Sequence, residues 1–346
     1  MLEKNKVYRA RIQGYTSEGL GVARIDGQAV FVHQALRGEE CDILVLKVLK
    51  NAAFGKAVRV YEPSPHRVEP DCPYYGRCGG CDFRHMDRAE ELAAKRQRVQ
   101  DALARIGGSA VTVESIDGGE PLHYRNKSQY PVAADGSVGF YKARSHQVIP
   151  VERCRIQKPQ ADAAAQALRT YLRLYGVSCY DEKTRRGLVR YLYVRTNGAG
   201  QSLLCVLVNG KKLPHERELV DLLRQAVPET VGVVLGVNTR PTGAVLGQEY
   251  RTLWGADVLT DTLCGLTFRL SVPSFYQVNR EMAEVLYRRA VEFAGLTGTE
   301  TVLDLYCGAG TITQVMARHA GRVIGAEIVP EAIEDARANA QRNGVE

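Results

Sequence analysis

The sequence lacks any apolar run as long as a membrane span, any internal repeat and any low-complexity segment. Its N-terminal segment, MLEKNKVYRARIQGY, lacks the apolar stretch of a secretory signal. These absences predict a cytoplasmic protein that makes no membrane contact. In that compartment thiols stay reduced, so disulfides are not expected to hold the fold together.

The sequence does contain nine cysteines and a formal net charge of +7 in 346 residues. This length suits two or three domains. The excess of positive charge favours a polyanionic partner such as nucleic acid without establishing one. A cluster of reduced cysteines indicates metal ligands or a catalytic group, and the positions of the thiols must separate these two possibilities.

Residues 1–62 have the pattern of an all-β domain. Short alternating stretches at 7–12, 29–32 and 41–45 are separated by turns that contain glycine. The block has the size of a small five-stranded, OB-like barrel, a class of fold that often binds RNA. Pattern alone does not distinguish this barrel from other small barrels.

Residues 63–272 predict a central α+β domain. Asp87 is the predicted N-cap of a helix that continues to Ile106, with basic residues that face either RNA or solvent. Further helices are predicted at 160–175 and 216–226, and strands at 188–195, 203–208, 231–237 and 266–271. Two basic and aromatic tracts, 123–127 and 140–144, suit either RNA binding or an ordinary sheet edge.

Three cysteines stand close together near the start of this domain. Cys72, Cys78 and Cys81 lie in one short loop whose glycines let the backbone fold back, so that three sulfurs can converge on one centre. A cubane iron–sulfur cluster takes four thiolates, and Cys154 is the best candidate for the fourth. The alternatives are a zinc site, unrelated thiols, or His85 as the fourth ligand.

Residues 273–346 predict the start of a Rossmann-like domain. A helix at 279–293 precedes an apolar strand that runs into a glycine turn with Gly308 and Gly310, and a second strand ends at Glu327. An acid at that point is placed to accept hydrogen bonds from ribose hydroxyls. The turn lacks the third glycine of the dinucleotide fingerprint and, with Asp304 before it, suits S-adenosylmethionine better than NAD. A final helix is predicted from Pro330 to Asn343.

Together these features resemble the RNA 5-methyluridine (uracil-5-)methyltransferase family. The barrel resembles its TRAM domain, the four cysteines match the ligands of its [4Fe–4S] cluster, and the tract SFYQVN at 274–279 matches its signature. The resemblance implies that Gln277, Tyr306 and Glu327 contact S-adenosylmethionine. Possession of both the TRAM domain and the cluster resembles the ribosomal RNA branch, which implies a monomer that methylates carbon 5 of a uridine in 23S ribosomal RNA.

The chemistry of this family explains why a nucleophile is needed. Carbon 5 of uracil is a poor nucleophile until a cysteine thiolate adds to carbon 6, after which carbon 5 attacks the methyl group. A general base then removes the proton at carbon 5, and the cysteine is expelled. The target base must leave its stack to be reached.

The residues expected for that chemistry are not found in the sequence. There is no Asp-Pro-Pro-Arg segment and no late Ser-Cys-Asn-Pro-like loop, and Cys307 matches a cofactor-side position in the glycine turn. The expectation is therefore a truncated, inactive chain with no assigned catalytic residue. An alternative is a non-catalytic RNA-binding iron–sulfur protein. A radical S-adenosylmethionine enzyme fits poorly, because five residues, instead of three, separate the first two cysteines of the loop.

The predicted architecture is thus a multidomain α/β protein. An OB-like barrel occupies residues 1–62, the central domain with the cysteine loop 63–272, and an incomplete Rossmann-like methyltransferase domain 273–346.

Overall fold

A computed structural model describes residues 2–345 of the chain. The chain divides into two compact units, one that ends at Gly118 and one that begins at Gly119. The boundaries between the three predicted domains stay predictions. Among the described residues, none of the helices combines the length and the apolar character that crossing a bilayer requires.

The first unit is built on a six-stranded sheet. Its strands are β1 (Val7–Arg11), β2 (Gly14–Tyr15), β3 (Gly21–Ile25), β4 (Gln28–His33), β5 (Glu40–Val48) and β6 (Ala52–Glu62). They follow the order β1-β5-β6-β4-β3-β2, with only β4 and β6 parallel. Alternate residues such as Val30, Val32 and Ile43 are fully buried, as the period of two requires. The sheet has six strands, whereas the sequence predicts five. Strand β2 is only two residues long, which is too short to show an alternating pattern in the sequence.

A helix follows the cysteine loop in this unit. Helix α1 (Arg88–Asp101) begins where the sequence predicts, with the Asp87 carboxylate accepting the Glu90 N–H at 2.9 Å. The predicted end at Ile106 is reached only through a π-helix, Ala102–Ile106. None of the residues of this π-helix is fully buried, so little packing favours regular α geometry in the last turn.

The second unit contains a five-stranded mixed sheet in the order β13-β12-β11-β10-β7. The strands up to β13 are β7 (Lys127–Pro131), β8 (Gly139–Tyr141), β9 (Val148–Pro150), β10 (Val189–Thr196), β11 (Ser202–Val208), β12 (Thr230–Val237) and β13 (Glu249–Gly255), with β8 and β9 forming a separate hairpin. Helices α2 (Pro159–Leu174) and α3 (Glu216–Ala226) bury Leu168 and Leu223 against one face.

The opposite face of this sheet is covered by a second hairpin. Strands β14 (Val258–Leu263) and β15 (Leu266–Ser271) form it. Leu259 and Val272 pack with Tyr193 and Cys205 of the sheet, all nearly inaccessible to solvent. The five-stranded sheet therefore has apolar side chains on both faces, and β10 and β11 are buried at every position.

The second unit also contains a small parallel two-stranded sheet with three helices. It comprises α4 (Arg280–Ala294), β16 (Thr301–Leu305), α5 (Thr311–Ala317), β17 (Arg322–Ala326) and α6 (Pro330–Asn343). Strands β16 and β17 pair in parallel, with Leu305 opposite Ala326. The strand–turn–helix–strand order predicted from the sequence is thus present, and it brings the carboxyl ends of two neighbouring strands to one edge.

Candidate functional site

The turn between β16 and α5 has an unusual backbone. We call residues Tyr306 to Gly310 the glycine turn. Gly308 and Gly310 have φ angles of +56° and +74°, and Tyr306, which carries a side chain, has a φ of +63°. A non-glycine residue in this region is strained, and such strain is concentrated at functional sites. The Tyr306 side chain is 85% exposed, so packing of the ring does not explain its conformation.

Glu327, at the end of β17, ties the glycine turn to the second strand. Its Oε2 accepts the N–H of Gly308 at 3.1 Å, and its Oε1 accepts the N–H groups of Ile328 and Val329 at 2.7 and 3.0 Å. These three backbone donors hold the pKa of the Glu327 carboxyl below its usual value. A carboxylate has about four acceptor sites, so Oε2 keeps one for a ligand hydroxyl.

Two further side chains shape the turn from β16. The Asp304 carboxylate accepts a hydrogen bond from the Thr313 hydroxyl at 2.5 Å, which joins the strand to α5. Cys307 is only 8% exposed, and burial, followed by the nearby charges of Asp304 and Glu327, raises the pKa of its thiol. A buried thiol with a raised pKa is a poor nucleophile, which agrees with the cofactor-side position expected of Cys307.

The tract 274–279, which we call the signature tract, is fixed by polar contacts at several points. The Ser274 hydroxyl donates to the Asp335 carboxylate of α6 at 2.7 Å. The Tyr276 hydroxyl donates to Asp261 at 3.0 Å, and the Asn126 side chain donates to the Gln277 carbonyl at 2.9 Å. The tract is therefore held at three points, through two side chains and one backbone carbonyl.

The side chain of Gln277 is left free by this arrangement. Gln277 is half-buried, and its side-chain amide makes no hydrogen bond to any of residues 2–345. The structure brings Tyr306 and Glu327 to the same edge of the β16–β17 pair through the Gly308 contact. No hydrogen bond within the described part of the chain joins Gln277 to either of them.

The cysteine loop, Cys72 to Cys81, lies in the first unit. Its first turn closes through the N–H groups of Tyr75 and Cys78, which donate to the carbonyls of Cys72 and Tyr74. Gly76 has a φ of +77°, as the predicted reversal of the backbone requires. All three cysteines are half-buried, and none of them forms a disulfide. Burial and the neighbouring Cys72 raise the pKa of the Cys78 thiol.

His85, the rival ligand, is packed beside the same loop. It is 2% exposed, and burial lowers its pKa to about 4. Its Nδ1 is hydrogen-bonded to the Tyr75 hydroxyl at 2.5 Å, while its buried Nε2 has no hydrogen-bond partner among the described residues. A neutral imidazole with one free nitrogen has the chemistry of a metal ligand, so the two candidates for the fourth position both stay open.

Cys154 lies in the second unit, on the segment that leads into α2. Its N–H donates to Oδ2 of Asp162 at 2.8 Å, and the Tyr130 hydroxyl donates to Oδ1 of the same carboxylate at 2.8 Å. Burial raises the pKa of Asp162, while these hydrogen bonds act against that rise. Among residues 2–345, no three His, Cys, Asp or Glu side chains lie close enough together to hold a metal ion.

Two cations that lie opposite each other, Lys127 and Arg195, are not predicted from the sequence. The pattern places Arg195 in an apolar strand, yet its guanidinium is 1% exposed and donates to the Ser274 carbonyl. The strand β7, which begins at Lys127, is not predicted either. The basic and aromatic tract 123–127 marks this part of the sequence, but the sequence does not identify the strand with which it pairs.

Comparisons with known proteins indicate the family of the chain. A family model described as TRAM domain matches residues 2–58, and one described as tRNA (Uracil-5-)-methyltransferase matches residues 87–346. An uncharacterized RNA methyltransferase of Halalkalibacterium halodurans is 42% identical over 349 residues, covering 99% of this chain and 76% of that relative. One from Clostridium tetani is 41% identical over 350 residues, covering 100% of this chain and 76% of the relative.

A solved structure shares the fold. It is the crystal structure of Pyrococcus abyssi tRNA (uracil-54, C5)-methyltransferase in complex with S-adenosyl-L-homocysteine. The TM-score is 0.77 at 23% sequence identity, and the match covers 98% of this chain and 77% of that one. The sequence expectation of an N-terminal TRAM-type β domain followed by a mixed α/β methyltransferase fold is therefore confirmed.

Proposed function

Because the chain belongs to the tRNA (uracil-5-)-methyltransferase family, we propose that it acts in the S-adenosylmethionine-dependent methylation of carbon 5 of a uridine, with 23S ribosomal RNA as its substrate. The observation that carries this proposal is the contact between Glu327 and the Gly308 N–H at the shared edge of β16 and β17. It links an acid and a glycine turn in the arrangement that nucleoside ligands use.

Three residues are proposed to bind the cofactor, which supplies the methyl group when bound. The free acceptor site on Oε2 of Glu327 would take a ribose hydroxyl. The exposed ring of Tyr306 offers a face for the adenine base, and the unbonded amide of Gln277 offers a donor and an acceptor. Other contacts hold the backbone carbonyl of Gln277 and Oε1 of Glu327, while the ring of Tyr306 is exposed.

The proposed substrate rests on two features of the first unit. The match to the TRAM domain at residues 2–58 supports an RNA partner, and the excess of positive charge supports a polyanion. The joint presence of this domain and the cysteine loop favours ribosomal over transfer RNA. The Pyrococcus abyssi enzyme is described as acting on transfer RNA, so the two substrates must be compared directly.

We also propose that Cys72, Cys78, Cys81 and Cys154 bind a [4Fe–4S] cluster in a monomeric protein. The donor chemistry fits, since three cysteines that form no disulfide stand within one ten-residue loop and all are half-buried. The geometry of the described residues does not by itself gather three metal ligands. No catalytic step is therefore assigned to the cluster.

The experiment that tests the function measures binding of two ligands to the 346-residue chain. S-adenosylhomocysteine binding is measured by calorimetry, and 23S ribosomal RNA fragments are compared with transfer RNA of similar length in competition. We expect saturable binding of the nucleoside and a preference for the ribosomal fragments. Equal or tighter binding of transfer RNA would overturn the ribosomal assignment, and a chain that binds RNA without the nucleoside would instead be a non-catalytic RNA-binding protein.

A further inference from the structure

Two cations face each other across neighbouring strands of the second unit. Lys127 of β7 lies directly opposite Arg195 of β10 in the antiparallel register. Like charges in this position destabilise a sheet. Neither side chain forms an ion pair with a carboxylate anywhere in residues 2–345. The pair is therefore an unfavourable feature that the fold retains.

The guanidinium of Arg195 is satisfied as a hydrogen-bond donor but not as a charge. It donates to the Tyr193 hydroxyl from Nε and Nη2, at 2.9 and 2.6 Å, and from Nη2 to the Ser274 carbonyl. All of these acceptors are neutral. Because Arg195 is 1% exposed, little solvent screens its charge, and its field acts on the neighbouring surface.

Lys127 adds a second positive charge, half-buried, beside Arg195. Its ammonium group has no hydrogen-bond acceptor among the described residues and lies 5.6 Å from the centre of the Phe275 ring. Burial, together with the positive charges of Arg195 and Arg125, lowers the pKa of Lys127. Three ammonium donors and an unneutralised charge are thus left for a ligand that is not part of this chain.

Phe275 adds the second half of a recognisable site. It belongs to the signature tract and is 65% exposed, although its neighbours Ser274 and Tyr276 are buried. An exposed aromatic ring beside a cation is the combination with which proteins bind single-stranded nucleic acid, the ring stacking on a base and the cation pairing with a phosphate.

We propose that Lys127, supported by Arg195, binds a phosphate of the RNA backbone next to the nucleotide that stacks on Phe275. This inference rests on the RNA substrate of the proposed function and identifies where the RNA strand contacts the second unit. It also explains the like-charge pair, because an anion between the strands and the ring would neutralise it. Local conflicts of this kind are expected at functional sites.

The proposal predicts opposite effects on stability and on binding. Lys127→Met keeps the length of the side chain and removes its charge. It should raise the free energy of unfolding, because it removes the repulsion by Arg195, and it should weaken RNA binding. If Lys127 had a purely structural role, its replacement would instead lower the free energy of unfolding. The two roles therefore predict stability changes of opposite sign.

The test uses a fluorescently labelled oligouridylate of about 12 nucleotides and anisotropy titrations between about 50 and 200 mM KCl. Lys127→Met should reduce the slope of log Kobs against log[KCl] by about 0.7, the value for one lost phosphate contact on a single strand. Lys212→Met, an exposed lysine in the turn before α3, is the matched control and should leave affinity and slope near those of the wild type. Phe275→Leu should lower affinity without changing the slope.

The outcomes separate this inference from the proposed function. If the wild type does not bind the oligonucleotide, the RNA substrate itself is wrong. If the wild type binds and Lys127→Met keeps both affinity and slope, only the inference fails. A fall in unfolding free energy for Lys127→Met would assign a structural role, and a fall in S-adenosylhomocysteine affinity would assign Lys127 to the cofactor carboxylate; either result overturns the phosphate site.

Discussion

The side chain of Asn343 hydrogen-bonds both backbone groups of Thr267. Its Oδ1 accepts the Thr267 N–H at 2.9 Å, and its Nδ2 donates to the Thr267 carbonyl at 2.9 Å. One helical turn earlier, Asn339 accepts the N–H of Arg269 at 2.8 Å. Two side-chain amides of α6 thus satisfy backbone groups along one edge of β15, as a neighbouring strand would.

Replacing Asn343 by Ala should destabilise the second unit. Asn343→Ala removes the two hydrogen bonds to Thr267 and one to Gln314, leaving the half-buried backbone of Thr267 and Oε1 of the buried Gln314 without these partners. We expect a loss of about 1–2 kcal/mol in urea unfolding. Gln341→Ala, at an exposed position of the same helix, is the control and should change stability by only about a few tenths of a kcal/mol. Equal effects of the two substitutions would contradict a role for the Thr267 contact.

Replacing Glu327 by Gln should weaken cofactor binding. A neutral amide accepts the Gly308 N–H less well and presents an NH₂ group to backbone donors. Since a charged oxygen accepts a hydrogen bond from a ligand hydroxyl more strongly than a neutral amide does, we expect S-adenosylhomocysteine affinity to fall about tenfold. Glu331→Gln, in the first turn of α6, is the matched control. Unchanged affinity in Glu327→Gln would remove this residue from the site.

The same carboxylate predicts a pH dependence. Hydrogen bonds in the folded state lower the pKa of Glu327. The contribution of the ionised carboxylate is therefore fully present above the ordinary pKa of a glutamate side chain and is lost as the pH falls through the lowered pKa. Calorimetric titrations should therefore show a Glu327-dependent affinity that is constant near neutral pH and declines only under acidic conditions. A decline that begins near pH 7 would point to a different group.

Replacing Tyr306 by Ala should separate binding from stability. The ring is 85% exposed, so Tyr306→Ala should change the free energy of unfolding by no more than about 0.5 kcal/mol. If the ring stacks on adenine, the nucleoside affinity should fall about tenfold. The measurements are urea unfolding and calorimetry on the same preparations. A loss of stability that matches the loss of affinity would argue that Tyr306 supports the turn and does not contact the ligand.

The iron–sulfur proposal predicts a specific pattern of cysteine dependence. Protein purified without oxygen should be brown and contain about four irons per chain. Cys72→Ser and Cys154→Ser should each lower the iron content, while Cys179→Ser, which replaces a half-buried cysteine outside the proposed set, should leave it unchanged. If Cys154→Ser keeps its iron and His85→Ala loses it, His85 is the fourth ligand. Colourless, iron-free wild-type protein would end the proposal.

The sequence predicts the helices that have clear boundary signals. Helix α6 begins at Pro330 and ends before Gly344, which has a left-handed φ of +62° at the C-cap, and both residues mark these ends in the sequence. Helix α3 is also predicted at its observed bounds, because its apolar residues repeat on one face and bury Leu219 and Leu223.

The strands are harder to predict where their residues are polar. Strand β13 (Glu249–Gly255) has no buried residue, so its position depends on pairing with β12, which no local pattern reveals. For the same reason the sequence identifies Glu327 but not its contact with the Gly308 N–H. The pairing of Lys127 with Arg195 is missed because the register between two distant strands is not encoded locally.

The contact between Glu327 and Gly308 has a consequence for the kinetics of ligand capture. The turn is held by a hydrogen bond within the chain itself, so most of its conformational entropy is lost when the chain folds and little remains to be lost on binding. An arriving nucleoside meets a receptor that is already shaped. Its association should therefore follow a single concentration-dependent step, without the slow isomerisation that a disordered turn would impose.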